Sequence, residues 1–290
     1  MQTAGMDSRK RPVIRSAARL AAALLLAGCA GQPPASEPAP SGGVRSVAGI
    51  SLRPDWRARI VVERADSIVI TLPSGDHQLQ RFDRHAAFSL TTDRNRTVAI
   101  RLDTLTVRPR NAKDTGGAPG ASWAGQPAST SVNAMRVTGG GSAAAELTAV
   151  VRSLLPRLPT GGVRARMSWS DSATGDVRVD IFTANERRTA AWSAGAITSR
   201  EGNEVLTVRV REDFEQIGDG NQGGRRMTMT SQGRRSGTYY VTLDGRVSSA
   251  QLDDSVAMLI SIPTIRQVVP TIRYARTSVR FLSPGPGESD

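Results

Sequence analysis

The sequence predicts a mainly β fold: an antiparallel incomplete barrel, or a strongly curved sheet, packed on one or two helices. Three observations carry this expectation. Apolar residues recur with period two over most of the chain from Ile68 to Leu252; one segment alone shows a clear helical stripe; and Gly- and Pro-rich breaks punctuate the rest.

The first element is a leader. Arg9, Lys10, Arg11 and Arg15 precede an apolar run from Leu20 to Ala27, followed by Leu26-Ala27-Gly28-Cys29, which resembles a bacterial lipoprotein lipobox. The run is too short to span a bilayer, which needs about 20 apolar residues. The resemblance implies removal of residues 1–28 and a diacylglyceryl thioether on Cys29, and Ala30 behind it points to the outer membrane, facing the periplasm. Cys29 is the sole cysteine of 290 residues, so neither an internal disulfide nor a cysteine metal site can form. Residues 29–43, rich in Pro and Gly, read as a linker, 44–282 as one β-rich domain, and 283–290 as a disordered tail. The domain divides into two lobes, about 44–110 and 142–282, around a glycine-rich gap at 111–141.

In the first lobe Ile68, Ile70 and Leu72 share one face, as do Val98, Ile100 and Leu102. Leu105 and Val107 fall on the opposite parity, which places a bulge or bend near Asp103-Thr104. In the second lobe Leu147, Val150, Val151, Leu154 and Leu155 form an amphipathic stripe, expected to face a core or a cavity and ended by Pro156 and Pro159. Strand patterns follow at Val177–Ile181, Leu206–Val210, Met227–Met229 and Tyr239–Leu243, and Asp244-Gly245 supplies a hairpin turn into Val247–Leu252. A second helical turn is expected around Ser255 to Val269, with Asp253-Asp254 capping its positive end.

Net charge is +12. Removing residues 1–28 takes away five basic residues (Arg9, Lys10, Arg11, Arg15, Arg19) and one acidic residue (Asp7), leaving +8. The arginines are scattered and often alternate with apolar residues, so they read as solvated strand faces with an attraction to anionic envelope surfaces, not as a nucleic-acid footprint.

The order of these features, with Leu154-Leu155-Pro156-Arg157-Leu158-Pro159, the Trp169-Ser170-Asp171 strand start and the run Gly237 to Arg246, resembles uncharacterised envelope lipoproteins with a fold similar to the carriers LolA and LolB. The resemblance implies an open barrel wrapped over helices, with an apolar cavity. Aromatic residues are only 4% of the chain, fewer than an acyl-lined cavity of that kind usually carries.

No catalytic or metal-binding set assembles. Gly120-Ala121-Ser122-Trp123-Ala124 lacks the last glycine of a nucleophile elbow. Gly218, Gly220 and Gly223 match a dinucleotide fingerprint in spacing, but a strand pattern follows where a helix is needed, so a hairpin loop is the better reading. His77 and His85 read as strand and turn surface, and Trp56, Trp123, Trp169 and Trp192, too dispersed for a nucleic-acid stacking platform, as packing or cavity-lining residues. The expected function is therefore that of a membrane-anchored, non-enzymatic binding or scaffold module without cofactor, taking an acyl chain, an apolar peptide or a partner lipoprotein. The alternative is an envelope enzyme or enzyme accessory acting on wall or lipid polymers.

Overall fold

The computed structural model describes residues 49–92, 97–110, 127–131, 137–138, 153–179 and 181–283. The leader, Cys29 with Leu26, Ala27 and Gly28, the linker, Trp123 and the stripe residues Leu147, Val150 and Val151 lie outside them.

Among the described residues, eleven strands form one antiparallel sheet. They are β1 (Arg57–Thr71), β2 (His77–Thr92), β3 (Thr97–Pro109), β4 (Pro127–Ser131), β5 (Val137–Thr138), β6 (Ser168–Val179), β7 (Phe182–Arg200), β8 (Asn203–Gln222), β9 (Arg225–Thr242), β10 (Val247–Ile262) and β11 (Gln267–Leu282). The order β5-β4-β3-β2-β1-β11-β10-β9-β8-β7-β6 is a meander in two runs, joined where the last strand pairs with the first, Ile60 opposite Phe281 and Ile70 opposite Thr271. Among the described residues β5 and β6 each pair on one side only, so the sheet is not closed into a barrel. The expected gap at 111–141 contributes β4 and β5 to one of these edges.

Period two places the core. Val98, Ile100 and Leu102 are buried, as are Leu206, Val208 and Val210, while Arg209 and Arg211 point outward. The register between β2 and β3 slips where Ala87 faces Thr104 and Phe88 faces Leu102, which leaves Asp103 as the extra residue of the expected bulge. Gly245 at φ +84° turns the chain from β9 into β10, also as expected. Inner-face crowding shows at two glycines: a Cβ on Gly233 would stand 2.2 Å from the Phe214 ring, and one on Gly237 would stand 2.3 Å from Leu252. Glycine there lets the large side chain of a neighbouring strand lie across the backbone, as tight curvature requires.

One end of the inner face is filled by Ile60, Phe88, Leu90, Val98, Leu102, Trp192, Leu206, Tyr239 and Leu252, packed on Leu154, Leu155, Leu158 and Val163. The latter four come from the stretch entering β6, whose first described residues, Ser153 and Leu154, have helical backbone. Three contacts hold this stretch in place. Ile50 and Val163 exchange two backbone hydrogen bonds of 2.8 Å, the Tyr239 hydroxyl donates to the Ser153 carbonyl at 2.8 Å, and Trp169 Nε1 donates to the Arg157 carbonyl at 3.0 Å. Trp192 lies between Trp169 and Tyr239, with ring centroids 5.9 and 6.0 Å away, while Trp56 stacks on Phe281 at 5.4 Å, so these three tryptophans pack as the sequence suggested.

One expected element is absent. Ser255 to Val269 is not helical: β10 runs to Ile262, a 3₁₀ turn spans Pro263–Ile265, and β11 starts at Gln267. Pro263 opens the turn, where its missing N–H costs nothing, and alternation resumes on both sides. Asp253 and Asp254 consequently cap nothing; they occupy adjacent positions of β10 and point to opposite faces.

Leu154 is 1% exposed within this packing. Leu154→Ala should therefore lower unfolding free energy by about 2–5 kcal/mol in urea titration, as a cavity-forming core substitution does.

Candidate functional site

Beyond the core, inward parity meets charge. On β1 the inward residues run Ile60, Val62, Arg64, Asp66, Ile68, Ile70; on β8 they run Val208, Val210, Glu212, Phe214, Gln216. Antiparallel register sets these charged positions beside one another, and the result is an alternating chain of ion pairs across the sheet. Arg84 Nε lies 3.1 Å from Asp66, Arg64 Nε 3.0 Å from Asp66 and Arg64 Nη1 3.4 Å from Asp254. Arg235 lies 2.6 Å from Asp254 and 3.3 Å from Glu212. Glu212 also pairs with Arg188, which reaches Asp171 at 3.4 Å, and Arg157 closes the series 3.6 Å from Asp171. At the belt position β11 carries Ala275, which stands between Asp66 and Asp254 in the register and lets Arg64 pass over to Asp254, while β11's inward Arg273 adds its charge to the field on Asp254.

This belt is desolvated, with Asp66, Asp254, Arg188 and Glu212 all below 10% exposed. Burial works against the charged form of Asp254, but Arg235 and Arg64 outweigh it and hold the carboxyl below the ordinary range. Asp171, nearer the sheet edge, is pushed up by burial despite Arg157. Burial lowers the Arg157 pKa and raises that of Tyr239, which stays a neutral donor to Ser153. The arginines read as solvated strand faces are thus of two kinds, since Arg64, Arg84, Arg188 and Arg235 point inward. One step beyond the belt, Ser231 donates to Gln216 at 2.8 Å and Gln216 to the buried Glu186 carboxyl at 2.7 Å, a hydrogen-bonded continuation of the same polar band.

Past these polar residues the inner face turns apolar again. Val177, Phe182, Ala184, Met227 and Met229 form a second buried cluster, and Met258, Ile260 and Ile262 pack partly buried against it. Beside them Ile68, Ile70 and Val269, from β1 and β11, are also half-buried. The surface made by β10, β11 and β1 is a groove with apolar sides, a buried Thr271 in its floor and Arg273 toward the belt. Its chemistry is that of an apolar ligand site with few polar groups. A shallow depression of about 380 Å³ at β6 to β8, bordered by Ser172, Thr189, Arg211, Asp213 and the belt residue Asp171, is separate from the groove.

The residues singled out in the sequence fare unequally. Leu154 and Leu155 are core, 1% and 7% exposed, and so are not groove lining. His77 and His85 are exposed on β2, and Asp83 is engaged by Arg110 at 2.6 Å, which with its hydrogen bonds holds the carboxyl below the usual range. Gly218 and Gly220 belong to β8 itself and only Gly223 to the hairpin turn, so no loop cradles a phosphate there. The belt was not anticipated; its signal was a charged residue at inward parity between apolar ones, repeated on β1, β8 and β10.

Because the Asp254 pKa is depressed by folding, its contribution is fully present above the unfolded carboxylate value of about 3.9 and is lost as pH falls through the lower folded value. Asp254→Asn leaves Arg235 and Arg64 short of a charge partner. It should cost about 3 kcal/mol at pH 7, with a smaller penalty below pH 4, measured by denaturant titration at both pH values.

No protein-family profile and no curated protein matches the chain. Among solved structures, a LolA superfamily protein from Nitrosomonas europaea aligns over 83% of this chain and 91% of its own, at 10% identity and a TM-score of 0.16. A superposition that loose carries no weight, and the open antiparallel sheet stands on the strand pairing described above.

Proposed function

We propose that this protein is an envelope binding module, tethered by a lipid on Cys29 to the outer membrane on its periplasmic side, that holds an acyl chain or a similar apolar ligand on the inner face of its sheet without chemical turnover. The observation that carries the reading is the half-buried groove of Ile68, Ile70, Met258, Ile260, Ile262 and Val269 above a sealed ionic belt. Aliphatic and thioether side chains give a surface that accepts flexible chains by burial alone, at about 25 cal/mol per Å² removed from water. The belt supports the same reading, because its charges are paired with one another across the sheet. The tether rests on the basic leader, the short apolar run and the lipobox-like Leu26-Ala27-Gly28-Cys29.

Two experiments test the two halves. Native mass spectrometry of the purified chain should detect a co-purifying lipid, and Met258→Glu should weaken binding of a fluorescent fatty acid at least about tenfold while leaving the unfolding midpoint nearly unchanged, since the site is only half-buried. Equal affinity in the variant removes the groove as the site. For the tether, Cys29→Ser should abolish labelling by an alkyne fatty acid in cells; persistent labelling rules it out.

A further inference from the structure

The far end of β10 and β11 is apolar on more surfaces than a ligand groove needs. From Ser255 to Ile272 the chain carries a single charge, Arg266. Inward residues Ile260, Ile262 and Val269 line the groove, but outward ones are apolar too: Leu259 is 52% exposed, Val268 54% and Ile272 41%. At the apex Ile265 is 47% exposed, and Arg266 takes a left-handed conformation at φ 51°. Alternation that should leave the outer face wet is therefore suspended at this tip, and aliphatic side chains project from both faces and from the turn between them.

We propose that the β10–β11 tip inserts into an anionic lipid surface, a second and non-covalent membrane contact. A protein partner or a second copy of this chain would meet one face of a hairpin, whereas a bilayer surrounds it, and only the latter covers Leu259 and Val268 on one side, Ile262 on the other and Ile265 at the end. Exposed apolar surface of this kind marks an interaction site. Charge agrees with lipid as the occupant. Arg266 at the apex and Arg225 at the neighbouring β8–β9 hairpin are exposed and form no ion pair among the described residues, so both are available to headgroup phosphates. From Leu259 to the turn the strand rises about 3.3 Å per residue, enough for the 5–10 Å depth at which interfacial elements sit. The inward apolar residues Ile260, Ile262 and Val269 sit at the same tip, and the docking itself does not require the groove to be a ligand site.

The test uses the full chain carrying Cys29→Ser, so that no acyl anchor contributes, with Ile265→Trp as a local reporter. Vesicles of equal parts phosphatidylglycerol and phosphatidylcholine should shift the introduced indole's emission to the blue and allow its quenching by brominated acyl chains. The same reporter as Ser199→Trp, in the exposed opposite end of β7, should respond to neither. Adding Leu259→Asp and Val268→Asp to the reporter chain should weaken the quenching response at least about tenfold in lipid concentration. Arg225→Gln with Arg266→Gln should weaken it on anionic vesicles and leave the weak response to pure phosphatidylcholine unchanged. The proposal fails if the indole stays in water with vesicles present, or if the two aspartates make no difference. It fails equally if the blue shift appears without lipid and grows with protein concentration, which identifies a second copy as the occupant. None of these substitutions touches the inward groove residues, so loss of docking with retained fatty-acid binding, or the reverse, tells the two sites apart.

Discussion

Arg84, Asp66, Arg64, Asp254, Arg235, Glu212, Arg188, Asp171 and Arg157 form the interaction on which the rest of this sheet depends, because an ionic chain buried across its middle divides the inner face in two. Removing one such charge from water costs several kcal/mol, which neighbours recover only if the signs alternate without interruption. That condition ties seven strands and the stretch entering β6 to one register. A slip of one residue on any strand would turn its belt residue outward and leave two partners uncompensated. Ala275 shows how closely the arrangement is set, since it is the residue that register places between Asp66 and Asp254, where Arg64 crosses to Asp254.

On one side of the belt lies the packed core closed by Leu154, Leu155, Leu158 and Val163; on the other lie the second apolar cluster and the half-covered groove. The two differ in what covers them. Near Ser153 to Val163 the chain crosses the inner face and satisfies its carbonyls through Tyr239 and Trp169, whereas no described segment crosses β10, β11 and β1 beyond the belt. An open, aliphatic surface sealed from the core by an ionic band can exchange an occupant without loosening the fold, which is the property a binding module needs. The apolar tip of β10 and β11 continues the same surface around to the outer face, where Leu259, Val268 and Ile272 are exposed.

How far the sequence reached is clearest on β8 and β10. Leu206, Val208 and Val210 were placed on the core face by alternation, and they are there. Two steps further the same parity carries Glu212, and local reasoning assigns a charge to water because a strand seen alone offers it no partner. Its partners, Arg188 and Arg235, are 24 and 23 residues away and become neighbours only when β7 and β9 pair with β8. The expected helix at Ser255 to Val269 failed for a related reason: dense apolar residues around two prolines fit a helical stripe as well as a strand that is apolar on both faces, and periodicity cannot separate them.

Alternation, the Asp103 bulge and the Asp244-Gly245 turn were decided by the sequence alone, because side-chain period and turn geometry are local properties of the backbone. Tertiary structure alone decided that the sheet stays open, that β11 returns to β1, that opposite charges line up into a buried belt, and which apolar surfaces are left uncovered. Each of these depends on register between strands far apart in the chain, where the energy of a residue is set by the neighbour that pairing brings to it and not by the residues beside it in sequence.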